Sequence, residues 1–113
     1  MIKWLEHGNW NIPGATRGRL EVFVGGETDH PNHVEIDPNW YFRVRGRNGK
    51  VRGQSEGYTR RDDAVKACAD QYAVRLTGEA HIFTPEHLQR LICPWHLIVQ
   101  DRDGALARHG LVY

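Results

Sequence analysis

The sequence predicts an α+β fold. It combines a small antiparallel β-sheet in a β-β-β-α unit, one main helix on one sheet face, a second short helix and a C-terminal β-hairpin. Three observations carry this. Trp40–Arg47 and Lys50–Glu56 flank Asn48-Gly49, a strong hairpin signal because both central residues of a type I′ turn need positive φ. Ala64, Val65, Cys68, Tyr72 and Leu76 recur at helical spacing, giving one core-facing stripe. Leu20–Val24 alternates as a short strand does.

In chain order, residues 1–19 place Trp4, Leu5, Trp10 and Ile12 among Gly, Asn and Pro. They are expected to pack against the body, without an assigned element. After the strand at 20–24, residues 25–39 (GGETDHPNHVEIDPN) are rich in turn formers and read as a long acidic loop; loops of that length are often functional or mobile. A two-residue turn at Asn48-Gly49 sets Arg47 opposite Lys50, Gly46 opposite Val51, Arg45 opposite Arg52, Val44 opposite Gly53, Arg43 opposite Gln54 and Phe42 opposite Ser55. The main helix is expected over 59–76. Thr59 and Asp62 have capping-box spacing, Asp62 and Asp63 suit a helix start, and Gly78 is a stop. Thr84-Pro85 opens the second helix, with Leu88, Leu91 and Ile92 on its buried side and Pro94 at its end. Leu97–Val99 and Leu106–Val112 read as strands around Asp103-Gly104, with no register assigned.

A chain of 113 residues fits one domain and can bury a core without staples. The division is a central unit at 20–76, carrying the 25–39 loop, and a helix-hairpin extension at 77–113. Four Trp, four Tyr and three Phe supply the burial that disordered chains lack. Cys68 and Cys93 are too few for a disulfide framework. The first residues show no signal-peptide run, and no stretch approaches the ~20 apolar residues of a membrane helix. The expectation is a soluble, cytoplasmic protein with free thiols, making no membrane contact and carrying no cofactor.

The central segments resemble the YegP-like family, small bacterial, archaeal and viral proteins built around a domain of unknown function. The resembling residues are LEVFV at 20–24, WYFRVRGRNGKV at 40–51 and SEGYTRRDDAVKACADQ at 55–71, about half the chain. The resemblance implies a sheet-and-helix sandwich in β-β-β-α order and no activity, cofactor or catalytic residue. The sequence departs from the family in its acidic insertion, its N-terminal segment and residues 77–113, and it lacks the tandem second copy many members have. The family's presence in viruses makes a phage accessory protein one expectation, for example an inhibitor of a host nucleic-acid-handling enzyme (in which case the cytoplasm is the host's).

Net charge is +1, yet residues 20–37 hold five acids and no Lys or Arg, and residues 40–61 hold six Arg and one Lys against one Glu. The predicted register puts Trp40, Phe42, Val44 and Val51 under the helix, and Tyr41, Arg43, Arg45, Arg47, Lys50 and Arg52 on the other face. Like charges directly opposite across a ladder are destabilising, within the ~0.2–1 kcal/mol range of cross-strand pairs, so an anionic partner would offset them. Three readings stand. Nucleic acid would neutralise the row through phosphates, with Tyr41, and Phe23 if it shares that face, stacking on bases. An acidic protein surface would do the same. Otherwise the cations are solvated, covered by the chain's own acidic loop, or paired in a homodimer, a structural or protein-interaction domain with no nucleic-acid role.

Metal and catalytic readings are weaker. His30 and His33, with Asp29, Glu35 and Asp37, have no preset geometry, and Cys93-x-x-His96 near His81 and His87 lacks a second matched pair. No metal site is expected. Ser55 is the only serine and points inward, Cys68 sits on the helix's core stripe, and Cys93 lies at a helix end. No phosphate loop or GxGxxG is present. The expected protein is a non-enzymatic binding module.

Overall fold

The computed structural model describes residues 2–6, 12, 14–73 and 93–113. They form β1 (Ile2–Leu5), β2 (Arg19–His30), β3 (His33–Arg45), β4 (Val51–Gln54), α1 (Arg61–Tyr72), β5 (Trp95–Gln100) and β6 (Leu106–Val112). The strands join in one six-stranded sheet of order β1-β6-β5-β2-β3-β4. β5 runs parallel to β2, and every other neighbouring pair is antiparallel.

This corrects the expected fold class. The protein is mostly sheet, mixed rather than purely antiparallel, with a single helix among the described residues. The C-terminal strands are not an appended hairpin. Leu97 and Val99 pair alongside Leu20 and Val22, and all four are fully or almost fully buried, so β5 is interior. The expected second helix lies outside the described residues.

The helix face holds the core. Leu20, Val22, Trp40, Phe42, Val44, Leu97, Val99 and Val112 meet Ala64, Val65, Cys68 and Ala69 of α1, each large apolar side chain contributing about 1.5–3 kcal/mol by leaving water. Tyr72 closes one end, edge-on to Phe42 and Trp95 with ring centroids 6.4 and 5.4 Å apart. Ile2 and Trp4 of β1 pack against the same cluster. The helix is shorter than 59–76. Its N-cap is Arg60, with no side-chain cap bond, so Thr59 and Asp62 make no capping box; Asp62 and Asp63 do occupy the first turn. It ends where Ala73 turns to extended backbone, well before Gly78.

Two departures bear on the site. First, residues 25–39 are strand rather than loop. β2 and β3 pair from Arg19–Arg45 out to His30–His33, across a two-residue turn at 31–32. The register shifts once between Val24/Trp40 and Gly26/Asp37, with the extra residue on β3 at 38–39. Pro38 sits in that bulge, where a residue without an N–H is tolerated. Gly26 adopts φ +80° there. Second, the 46–50 turn is a three-residue connection. The Gly49 N–H donates to the Gly46 carbonyl at 2.9 Å and the Gly46 N–H to the Lys50 carbonyl at 3.0 Å. Only Gly49 takes positive φ, and Asn48 does not. This is a three-residue turn of the glycine-bulge kind, not a type I′ turn.

Candidate functional site

The turn geometry sets the site. Gln54 opposite Arg43 and Gly53 opposite Val44 match the expected register, but a bulge at Arg52 then puts Val51 opposite Arg45. A one-residue slip moves side chains to the other face. Val51 therefore shares Arg45's face and stays 52% exposed; it is not under the helix. The predicted like-charge pairs Arg45–Arg52 and Arg47–Lys50 do not form across the ladder.

A second correction concerns neutralisation. On the face away from α1, β2 presents Arg19, Glu21 and Phe23, which pair with Arg45, Arg43 and Tyr41 of β3. Glu21, 6% exposed, sits among the cations. Its Oε1 accepts from Arg43 Nε at 2.7 Å and Arg45 Nε at 2.5 Å, and Arg19 Nη1 lies 3.8 Å from Oε2. Burial pushes the Glu21 carboxyl up, but hydrogen bonds and attraction from Arg43 and Arg45 outweigh it and hold it below its ordinary value. One ionised carboxylate thus faces three guanidinium groups, which leaves two unit charges in excess at this cluster.

The remaining predicted residues are dispersed. Arg45 Nη1 also donates to the Gly49 carbonyl at 2.9 Å, which ties the turn to the sheet. Arg47 Nε donates to the Thr16 carbonyl at 2.8 Å. Arg52 lies over Gly46, its Nε 3.1 Å from where a Cβ would stand. Lys50 is exposed in the turn. Arg19, Glu21, Arg45, Arg47, Thr16 and His96 line a cavity of about 380 Å³ on this face, a volume at the lower end of small-ligand sites.

Beside the cluster lies an aromatic platform. Phe23 and Tyr41 stack with ring centroids 6.0 Å apart and planes at 26°, and the Arg43 guanidinium lies 4.5 Å over the Phe23 ring. Phe23 does share the arginine face. Tyr41 Oη donates to Asp37 Oδ2, which raises the phenol above its ordinary value. Further across the face, His96 Nε2 and His109 Nδ1 are 3.5 Å apart. Burial, His109 and Arg19 hold His96 below its ordinary value. His109 and Leu111 are each 3% exposed, so the face is open along β2–β3 and closed along β6.

Glu21 and Arg19 escape the sequence reading, which considers His96 only as a partner of Cys93 and not as part of this face. The signal for Glu21 is there, because alternation of Leu20, Val22 and Val24 forces it onto the other face. That it faces Arg43 requires the β2–β3 register, which the sequence does not supply. The nucleophile candidates have structural roles. Burial drives the Cys68 thiol up to about 12, Cys93 is buried and free, and Ser55 Oγ accepts from Phe42 N–H and donates to the Glu56 carbonyl. Among the described residues no cluster of three His, Cys, Asp or Glu could hold a metal ion. His33 Nε2 lies 3.7 Å from Glu35 on the exposed arm, while the His30 side chain, His81 and His87 lie outside what is described. No described helix is long and apolar enough to cross a membrane. Compared with protein-family models, curated proteins and solved structures, the chain matches none.

Proposed function

We propose that this chain is a non-catalytic binding module that takes a single-stranded nucleic acid along the β2–β3 face. The observation that carries the reading is the stacked Phe23–Tyr41 pair, capped by Arg43 and continued by Arg45, Arg19 and Arg47 around the cavity. Flat π-faces beside a cationic track are what sequence-tolerant strand binding requires, each base–aromatic stack contributing about 1–3 kcal/mol. An acidic protein surface would use the cations but not the paired rings, so the rings favour nucleic acid.

Glu21 has a defined place in this reading. It holds Arg43 and Arg45 in fixed rotamers, so their ordering is complete before a ligand arrives, and the two excess charges remain for phosphates. Asp37 closes the platform at the Tyr41 end, so the phosphate track runs from Arg43 toward Arg47. The resemblance to YegP-like proteins, the cytoplasmic location and the lack of enzymatic activity belong to the same proposal.

The test is fluorescence anisotropy of a labelled single-stranded oligonucleotide across a salt series. Each phosphate contact is expected to contribute about −0.7 to the slope of log K on log salt. Arg19→Glu with Arg47→Glu flattens the slope, and Tyr41→Ala weakens binding about 5- to 150-fold, the equivalent of one stack. Absence of binding at low salt, or binding indifferent to both sets of changes, overturns the proposal.

A further inference from the structure

Among the described residues, two regions lack a neighbour that their chemistry calls for. From Gly26 to Asp37 the β2–β3 hairpin is a bare two-stranded arm among the described residues, since β5 covers β2 only at Arg19–Val22 and β4 covers β3 only at Arg43–Arg45. Val34 and Ile36 stand on one arm face, 55% and 68% exposed. Residues 26–37 carry four carboxylates and no Lys or Arg. At the opposite end, β4 is an edge strand exposed along its whole length. Val51, the third exposed large apolar side chain of the described residues, lies there between Lys50 and Arg52. Lys50 and Arg52, neither of which belongs to the phosphate track, are the cations there, and residues 45–52 hold no acid.

These features are complementary in three respects. The exposed large apolar side chains of the described residues are divided between the two regions, the charges are opposite, and each offers backbone donors and acceptors that no described strand pairs, of the kind that add strands. They cannot meet within one chain. Ile36 and Arg45 are nine residues apart on the same strand, a separation of about 30 Å at 3.3 Å per residue. The arm and the turn also point in opposite directions from the sheet.

We infer that the arm of one chain docks on the β4 edge of a second copy. Ile36 and Val34 lie against Val51, Glu27 on their face of the arm meets Lys50, and Glu35 on the opposite face meets Arg52. Because β4 covers only one end of β3, each copy presents one projecting edge and one recess beside its arm. Two copies related by a two-fold axis fill both, which makes the contact closed and reciprocal. The inference stands apart from the nucleic-acid reading, which uses the face of the sheet and not its edge.

Light scattering on the full chain tests it. The wild type is expected to show twice the single-chain mass at low salt and to lose it at high salt. Glu27→Lys with Glu35→Lys is expected to be monomeric while keeping the wild-type circular dichroism, and so is Lys50→Glu with Arg52→Glu. An equimolar mixture of the two variants recovers the doubled mass, because each reversed arm meets the other's reversed edge. A monomeric wild type at low salt, variants that associate as the wild type does, or a mixture that stays monomeric overturns the inference. Loss of oligonucleotide binding with the doubled mass intact would bear on the preceding proposal alone.

Discussion

The two ends of the β2–β3 hairpin are one continuous pairing with opposite surroundings. At one end Leu20, Val22, Trp40, Phe42 and Val44 are buried under α1, and Glu21 is enclosed by arginines on the other face. At the other end, past the bulge at Pro38-Asn39, Val34 and Ile36 are in water, and Glu27 and Glu35 are exposed. Backbone hydrogen bonds are present throughout, so they do not distinguish the ends. Side-chain burial does, and stability should divide along the same line.

The sharpest way to break that comparison is to truncate one side chain at each end. Leu20→Ala is expected to destabilise by about 2–5 kcal/mol, as for other fully buried leucines. Ile36→Ala, measured at high salt where the chain is single, is expected to stay within about 0.5 kcal/mol. Urea denaturation of both variants checks this, and comparable losses would show that the arm is packed. Next in size is Glu21→Gln, which leaves Arg43 and Arg45 without their carboxylate. The loss should be on the order of 2 kcal/mol, smaller than the about 3–5 kcal/mol of a fully buried pair because both guanidinium groups stay about a quarter exposed. Glu35→Gln on the arm should be nearly silent in the same measurement at high salt, where the chain is single. Smaller again is Gly26→Ala. Its Cβ would meet nothing within 4 Å, but φ is +80°, so the expected loss is about 1–2 kcal/mol from backbone strain alone.

Acid should act on the embedded end in two steps. His96 is held below 6.5 in the fold, so the unfolded chain takes its proton first; stability is present above 6.5 and falls as pH drops through the folded value. Glu21 is held below 4.5, so its contribution is present above 4.5 and is lost as pH falls through its folded value. Thermal melts against pH should show both steps. His96→Gln should remove the upper one and Glu21→Gln the lower one.

How much of this was legible in the sequence follows the locality of the contacts. The α1 stripe, the cores of β5 and β6 and the apolar side of β3 depend on neighbours a few residues away, and the periodicity of Leu20–Val24 and Ala64–Tyr72 reports them. The arm reads as a loop in the sequence because Gly25-Gly26, Pro31-Asn32 and Pro38 signal breaks. Each in fact serves the hairpin, as bulge, turn and bulge, while Val34-x-Ile36 keeps the strand period. The register at Asn48-Gly49 does not follow from sequence, because that dipeptide suits both a two-residue and a three-residue turn, and the choice moves Val51 across the sheet. The parallel pairing of β5 with β2 and the edge strand β1 rest on contacts of long sequence separation, which no local pattern encodes. At the site, the arginines and Tyr41 were legible as a row. Their neutralisation by Glu21 was not, because it depends on β2–β3 register.

The measurement that tests the account most directly is backbone amide mapping by NMR during titration with a single-stranded oligonucleotide. Shifts should gather at Phe23, Tyr41, Arg43, Arg45 and Arg47, at the embedded end, and leave residues 31–36 of the arm unmoved. Shifts confined to the arm, or none at an oligonucleotide concentration that saturates anisotropy, would contradict the assignment of the β2–β3 face as the binding surface.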